Sequence, residues 1–291
     1  MNPTAAGSLD SEDLAKLGSI SAVVNYVESN SDGAVRFKSD LHSSSAVPLP
    51  TQVQIYNARE RQTPPALARE GFALYRHDLP RVDFTDAALI RSTWVPAVKE
   101  LIKDATGAAH VIAWASNVRF SERSEQSTTR PNAGPARRVH SDHALDFDPM
   151  GLPLPEFADQ LHQILEETGT DRPTRIQCLN VWQPISEPPH DTPLALCDAT
   201  SMTREDMIVS RLSIPGGLEV DYVLYRPNLN HRWFYFRDMQ PSEALIFYGM
   251  DPSGGPTRRA VAHTAFDDPT CPPDTPPRNS VEVRAVAFFD V

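Results

Sequence analysis

The chain has 291 residues, a formal net charge of −11 and three cysteines, Cys178, Cys197 and Cys271. That length gives one large domain or two small ones, and an acidic balance with no basic block excludes nucleic acid as the principal partner, because phosphate binding needs clustered Lys and Arg. An odd cysteine count without C-x-x-C spacing points to a reducing compartment, and no signal peptide or run near the ~20 apolar residues of a membrane span is visible, so the expectation is a cytoplasmic protein away from membranes.

The 27 prolines against 13 glycines shape the rest. Proline is kept out of helix interiors and central strands, so short elements joined by stiff loops follow. Residues 1–17 are small, polar and acidic and read as a flexible tail, with 18–291 as a single domain. Ser19 to Val27 is a β-branched strand, Ser39 to Pro50 a loop, Val53 to Tyr56 a short alternating strand, and Gly71 to His77 a third. Thr85-Asp86 opens a helix running to Gly107, and Pro96 inside it predicts a kink or two shorter helices. Val111 to Phe120 is a strand, and the polar run Ser121 to Ala136 an exposed loop.

Order resumes at Arg137 to His140. A second helix spans Leu154 to Gly169, with Phe157, Leu161, Ile164 and Leu165 on one face. Strands follow at Arg175 to Trp182, Met207 to Leu212, Val220 to Tyr225, Trp233 to Phe236 and Ala244 to Tyr248, and a tail hairpin pairs 260–266 with 278–289. Helices early and strands late give a mainly β, α+β chain: an antiparallel sandwich or barrel of the jelly-roll kind, flanked by helices.

One spacing pattern carries chemistry. In His140-Ser141-Asp142, residues i and i+2 of a strand point to one side, offering an imidazole and a carboxylate together. An iron(II) oxygenase site needs a second imidazole and leaves further positions open for cosubstrate and oxygen. His190, His231 and His263 compete for that role. His263 leads, since it ends an apolar run and the following strand carries Arg278 and Ser280 at equal parity. A planar guanidinium with a neighbouring hydroxyl suits the distal carboxylate of 2-oxoglutarate. Arg284 shares the parity and is the second candidate for that clamp. The fifteen residues from His263 to Arg278 are long for a tight hairpin, and the 267–277 loop with its five prolines absorbs the excess. His-x-Asp alone is a common accident in a chain with nine histidines; the order His-x-Asp, His, Arg-x-Ser gives it weight. The block His231 to Phe236 reads first as a core strand, with pocket lining as the alternative. Asn180, Trp182 and His231 are the candidate substrate contacts.

Several stretches resemble the hydroxylase/desaturase oxygenases of fungal and bacterial natural-product pathways, which include gibberellin desaturase-like enzymes and relatives of the cephem 7α-methoxylase accessory subunit. They are Asn180-Val181-Trp182-Gln183-Pro184, Pro193 to Asp198, His231 to Phe236, Glu243 to Phe247, His263-Thr264-Ala265-Phe266 and Pro277 to Arg284. The resemblance covers 110–291 and fades before that, so 18–109 reads as strands and a helix packed on the core. It implies a double-stranded β-helix, Fe(II), 2-oxoglutarate and O2, and oxidation of a small molecule in secondary-metabolite biosynthesis by hydroxylation, desaturation, cyclisation or peroxide formation. Gln183 stands where such sequences usually carry Arg, and Ala262 where Pro is usual. The metal ligands are then His140, Asp142 and His263, and the cosubstrate contacts Arg278, Ser280 and Arg284. A homodimer is compatible. The competing readings are a zinc-dependent hydrolase or isomerase on the same three ligands, and a non-catalytic accessory subunit.

Overall fold

A computed structural model of the chain describes residues 11–28, 35–38, 47–120, 134–144, 146–152, 154–214, 218–257 and 259–289. Most of the expected 121–136 loop and the start of the expected tail lie outside these residues. The end of that tail is anchored: Leu14, in the short helix α1 (Ser11–Leu14), is buried in the main core.

The strands, numbered in chain order, form two sheets. The larger runs β1 (Ser19–Val27), β3 (Pro48–Asn57), β11 (Trp233–Tyr235), β8 (Leu194–Cys197), β13 (His263–Ala265), β6 (His140–Ser141), β10 (Leu218–Tyr225), β9 (Met207–Ile214), β2 (Val35–Lys38). The smaller is wholly antiparallel: β4 (Phe72–Arg76), β12 (Glu243–Met250), β7 (Arg175–Pro184), β14 (Asn279–Phe289), β5 (His110–Phe120). Leu196 and Phe234 from the first sheet share one buried cluster with Trp182, Leu245 and Phe247 from the second. Burying each such side chain contributes about 1.5–3 kcal/mol. A second cluster, with Tyr26, Trp233, Tyr235 and Phe266, fills the curl of the larger sheet where Asn25 bridges to Arg138.

Two expectations about strands are corrected. β3 starts at Pro48, inside the expected loop. Pro48 and Pro50 are tolerated because their missing N–H groups fall on the side away from β1, where β11 covers only Ile55–Asn57. β8 went unannounced, since its four apolar residues carry no alternation to read. The expected tail hairpin does not form: β13 pairs with β8 and β6 in one sheet, and β14 with β5 and β7 in the other. The proline-rich 267–277 segment crosses between sheets, which also explains its length.

The helices pad the smaller sheet. After the short helix α2 (Leu67–Glu70), Asp86 caps α3 (Ala87–Leu89), its carboxylate accepting from the Ala88 and Leu89 N–H groups at 2.8 and 3.2 Å. A π-helical turn, Ile90–Trp94, precedes α4 (Val95–Thr106) and places Pro96 in the first turn of α4, where no N–H is needed. The expected break is therefore real. Val98 and Ile102 of α4 pack with Val281 and Val283 of β14. Helix α5 (Pro155–Thr168) sets Phe157, Leu161 and Ile164 against Ile112, Val286 and Phe288. No helix among the described residues is long and apolar enough to cross a membrane.

Candidate metal centre

β6 and β13 are neighbours, and their register sets His140 directly opposite His263. Opposed residues have Cβ atoms about 5 Å apart, and here the two rings stand 4.3 Å apart, centroid to centroid. Each ring is held by its Nδ1: that of His140 lies 2.7 Å from the Arg138 carbonyl oxygen, that of His263 3.1 Å from the Val261 carbonyl oxygen. A carbonyl oxygen can only accept, so Nδ1 carries the hydrogen, and in the neutral ring Nε2 keeps its lone pair. Both Nε2 atoms face Asp142, each 3.8 Å from a different carboxylate oxygen. The three ligand atoms lie within 4.8 Å of one another, a spacing one ion with bonds of about 2.1 Å can close.

Electrostatics keeps the donor set ready. Burial, reinforced by the adjacent His263, pushes the His140 imidazole down to about 3, so it is neutral and a competent ligand. Burial works against a charged Asp142, but Arg284, His263 and His140 outweigh it and hold the carboxyl far below the usual carboxylate range. A neutral imidazole at His140 and an ionised carboxylate at Asp142 are protonation states that suit a metal.

Asp142 is where the sheets meet. The histidines come from the larger sheet; from the smaller one, Asn180 on β7 and Arg284 on β14 are directly paired and both reach the carboxylate. The Asn180 amide donates to Oδ2, and Arg284 Nη2 donates to Oδ1 at 2.5 Å. Arg284 is held in turn by Glu282, whose Oε1 accepts from its Nε at 3.1 Å, and its guanidinium lies 6.0 Å from the centre of the Trp114 ring. Beside them sits His143, 2 % exposed, its ring 4.5 Å from that of Phe147 and 5.9 Å from that of Trp114. Neither His143 nitrogen nor Asn180 Oδ1 has a hydrogen-bond partner among the described residues. His143 rests on Gly249: a Cβ there would stand 2.7 Å from its Nδ1.

The remaining sequence candidates divide. Arg278, one residue before β14, and Ser280, within it, are both buried; the Arg278 guanidinium lies 5.0 Å from the centre of the Trp182 ring, and its backbone N–H donates to Asp191. Burial, with Arg119 close by, lowers the Arg278 guanidinium to about 9. Ser280 Oγ has no hydrogen-bond partner among the described residues. His231 is not brought into this cluster: its ring nitrogens meet the Tyr26 hydroxyl at 2.7 Å and Asp206 at 3.3 Å. The engagement of Arg284 and Asn180 with Asp142 was missed from the sequence, although the parity of Arg284 with Arg278 signalled that it faces inward. Nothing in the sequence marked Gly249.

The chain is similar to known proteins along most of its length. A family model described as "Oxidoreductase/YMDC permease-like domain" matches residues 24–288. The chain is 31 % identical to the alpha-ketoglutarate-dependent dioxygenase phiK of a fungal species, across 94 % of this chain and 98 % of that one. It is 27 % identical to the Fe(II)/2-oxoglutarate-dependent dioxygenase nvfI of Aspergillus novofumigatus, across 82 % and 84 %. A solved structure of the iron and alpha-ketoglutarate-dependent endoperoxidase NvfI superposes with a TM-score of 0.76 at 22 % identity, covering 94 % of this chain and 99 % of that one, which establishes the jelly-roll fold.

Proposed function

The chain belongs to this oxidoreductase family, together with the fungal Fe(II)/2-oxoglutarate-dependent dioxygenases, and from that premise we propose that His140, Asp142 and His263 hold the iron while Arg278 and Ser280 grip the far carboxylate of 2-oxoglutarate. The protein is an Fe(II)/2-oxoglutarate-dependent oxygenase acting on a small molecule of secondary metabolism, and residues 18–291 work as one catalytic unit. The observation that carries the ligand assignment is the pair of imidazoles with Nδ1 tied to carbonyls and Nε2 turned on one carboxylate. Bound iron(II), with its cosubstrates, supplies the oxidising power: in a hydroxylation, substrate, 2-oxoglutarate and O2 become alcohol, succinate and CO2.

The residues of the chain do the rest. His140 and His263 present unprotonated nitrogens, and the paired strands beneath them fix their separation. Phe247, whose ring is 4.8 Å from that of His263, closes the floor of the site against water. Arg278 offers two parallel N–H donors, and Trp182 holds its guanidinium plane. Arg284 is committed to Asp142, so Arg278 is the better clamp. Trp182 then serves the clamp and Asn180 the carboxylate ligand, which leaves substrate contacts to other residues.

The test is anaerobic loading with iron(II), followed by succinate release from 2-oxoglutarate in air. Wild type should release succinate, and His140→Ala and His263→Ala should bind no iron and release none. Full metal content in either variant would refute the ligand assignment.

A further inference from the structure

Asp142 is gripped from the opposite sheet in a way the three-ligand reading does not require. Asn180 and Arg284 are partners in the β7–β14 ladder, so their side chains rise side by side from one face. One donates to each oxygen of Asp142: Asn180 to Oδ2 and Arg284 to Oδ1. A carboxylate oxygen has room for about two donors, so each oxygen keeps a lone pair on the side of the imidazoles. The grip therefore fixes the plane of the carboxylate without consuming its capacity to bind a metal.

The supports beneath these two donors are themselves fixed. Glu282 and the Trp114 face hold the Arg284 guanidinium. The β14 ladder to β5 shifts register between Arg284 and Ala285, a local irregularity of the kind that re-aims a side chain. Asn180 stands beside the buried His143 ring, both against the bare backbone of Gly249.

We propose that Asn180 and Arg284 are positioning residues for the metal, fixing the orientation of Asp142, and that Arg284 is not a cosubstrate ligand. This rests on the ligand assignment of the preceding subsection. Simple Coulomb repulsion argues for the opposite outcome, since a cation beside a metal ligand should weaken metal binding and its removal should tighten it. Orientation outweighs that effect here because Asp142 has no other side-chain hydrogen-bond donor among the described residues.

The test measures affinity for cobalt(II) by its visible absorption, with no turnover involved, and 2-oxoglutarate affinity at saturating cobalt(II). Asn180→Ala and Arg284→Met should each weaken cobalt(II) binding about 10- to 100-fold, the usual cost of losing an outer partner of a metal ligand. Both should leave 2-oxoglutarate affinity within about threefold of wild type on that account. Arg284→Lys, which keeps the charge but not the fork, should fall between. Arg278→Met should do the reverse, weakening 2-oxoglutarate and sparing cobalt(II). Unchanged or tighter cobalt(II) binding in Arg284→Met overturns the proposal, as does a loss confined to 2-oxoglutarate. If Arg284→Met does not fold by circular dichroism, Asn180→Ala and Arg284→Lys decide by the same criteria. Failure of the underlying ligand reading looks different: His140→Ala and His263→Ala would then bind cobalt(II) as wild type does.

Discussion

Replacing Gly249 by alanine adds one methyl group at the back of the site and removes nothing. The backbone there has no left-handed φ, so the substitution is not a conformational strain. Its cost is steric: the new Cβ would lie 2.7 Å from His143 Nδ1 and 2.9 Å from Cε1. Real Cβ contacts are about a full ångström longer at optimum. The ring cannot simply retreat, because Phe147 and Trp114 flank it and His143 is buried. Overpacking of this kind costs about 1–3 kcal/mol, which in a chain of this size class lowers Tm by about 2–4 °C per kcal/mol. Urea denaturation of the chelated protein measures the loss directly. A double-mutant cycle isolates its origin: with His143→Ala in place, Gly249→Ala should cost far less, giving a coupling of about 1–3 kcal/mol. Gly249→Ala within about 0.5 kcal/mol of wild type, the noise of an ordinary surface substitution, would refute the reasoning, and so would zero coupling to His143.

Other perturbations separate core from site. Glu70 and Arg61 form a buried pair, 2.8 Å apart with side chains 2 % and 4 % exposed; Glu70→Gln should cost about 3–5 kcal/mol in urea because it strands the Arg61 charge. Tyr26→Phe removes the acceptor of the Trp233 indole N–H at 2.9 Å and the partner of His231. It should cost about 1–3 kcal/mol yet leave cobalt(II) affinity unchanged, and a change in that affinity would link His231 to the metal. Burial holds His77, His190 and His231 below the usual histidine value in the folded chain. The unfolded chain therefore takes up protons first as pH drops through about 6.5. Stability from these groups is complete above that pH and is lost below it, so the metal-free protein should melt lower at pH 5.5 than at 7.5; a flat or rising Tm would contradict the burial.

The site was legible in the sequence where local geometry decides it. The His-x-Asp spacing and the shared parity of Arg278, Ser280 and Arg284 are read from the two-residue repeat of a strand; in the structure β6 ends at Ser141, one residue before Asp142, and β14 begins at Asn279, one residue after Arg278. The helix break near Pro96 and the strands from Arg175 and Ala244 were equally local. What escaped depends on distant pairing. No local pattern says that His140 lies opposite His263, or that Asn180 lies opposite Arg284. The tail was read as a hairpin because consecutive strands usually pair; the proline-rich crossing instead sends β14 to the other sheet. Pro48 and Pro50 hid the start of β3, since only the open side of a strand can hold them.

The strands carrying the two histidines are very short, two residues in β6 and three in β13. Such strands hold little structure of their own, so the aim of each imidazole is inherited from the longer neighbours that flank them, β10 on one side and β8 on the other. Variation in sequence that drifts through Leu194–Cys197 or Tyr222–Tyr225 would thus surface as altered metal chemistry, although none of those residues binds the ion. An ion held by the three proposed ligands would in turn act as a cross-link between two marginal segments, tying these short strands of the larger sheet to a carboxylate gripped from the other.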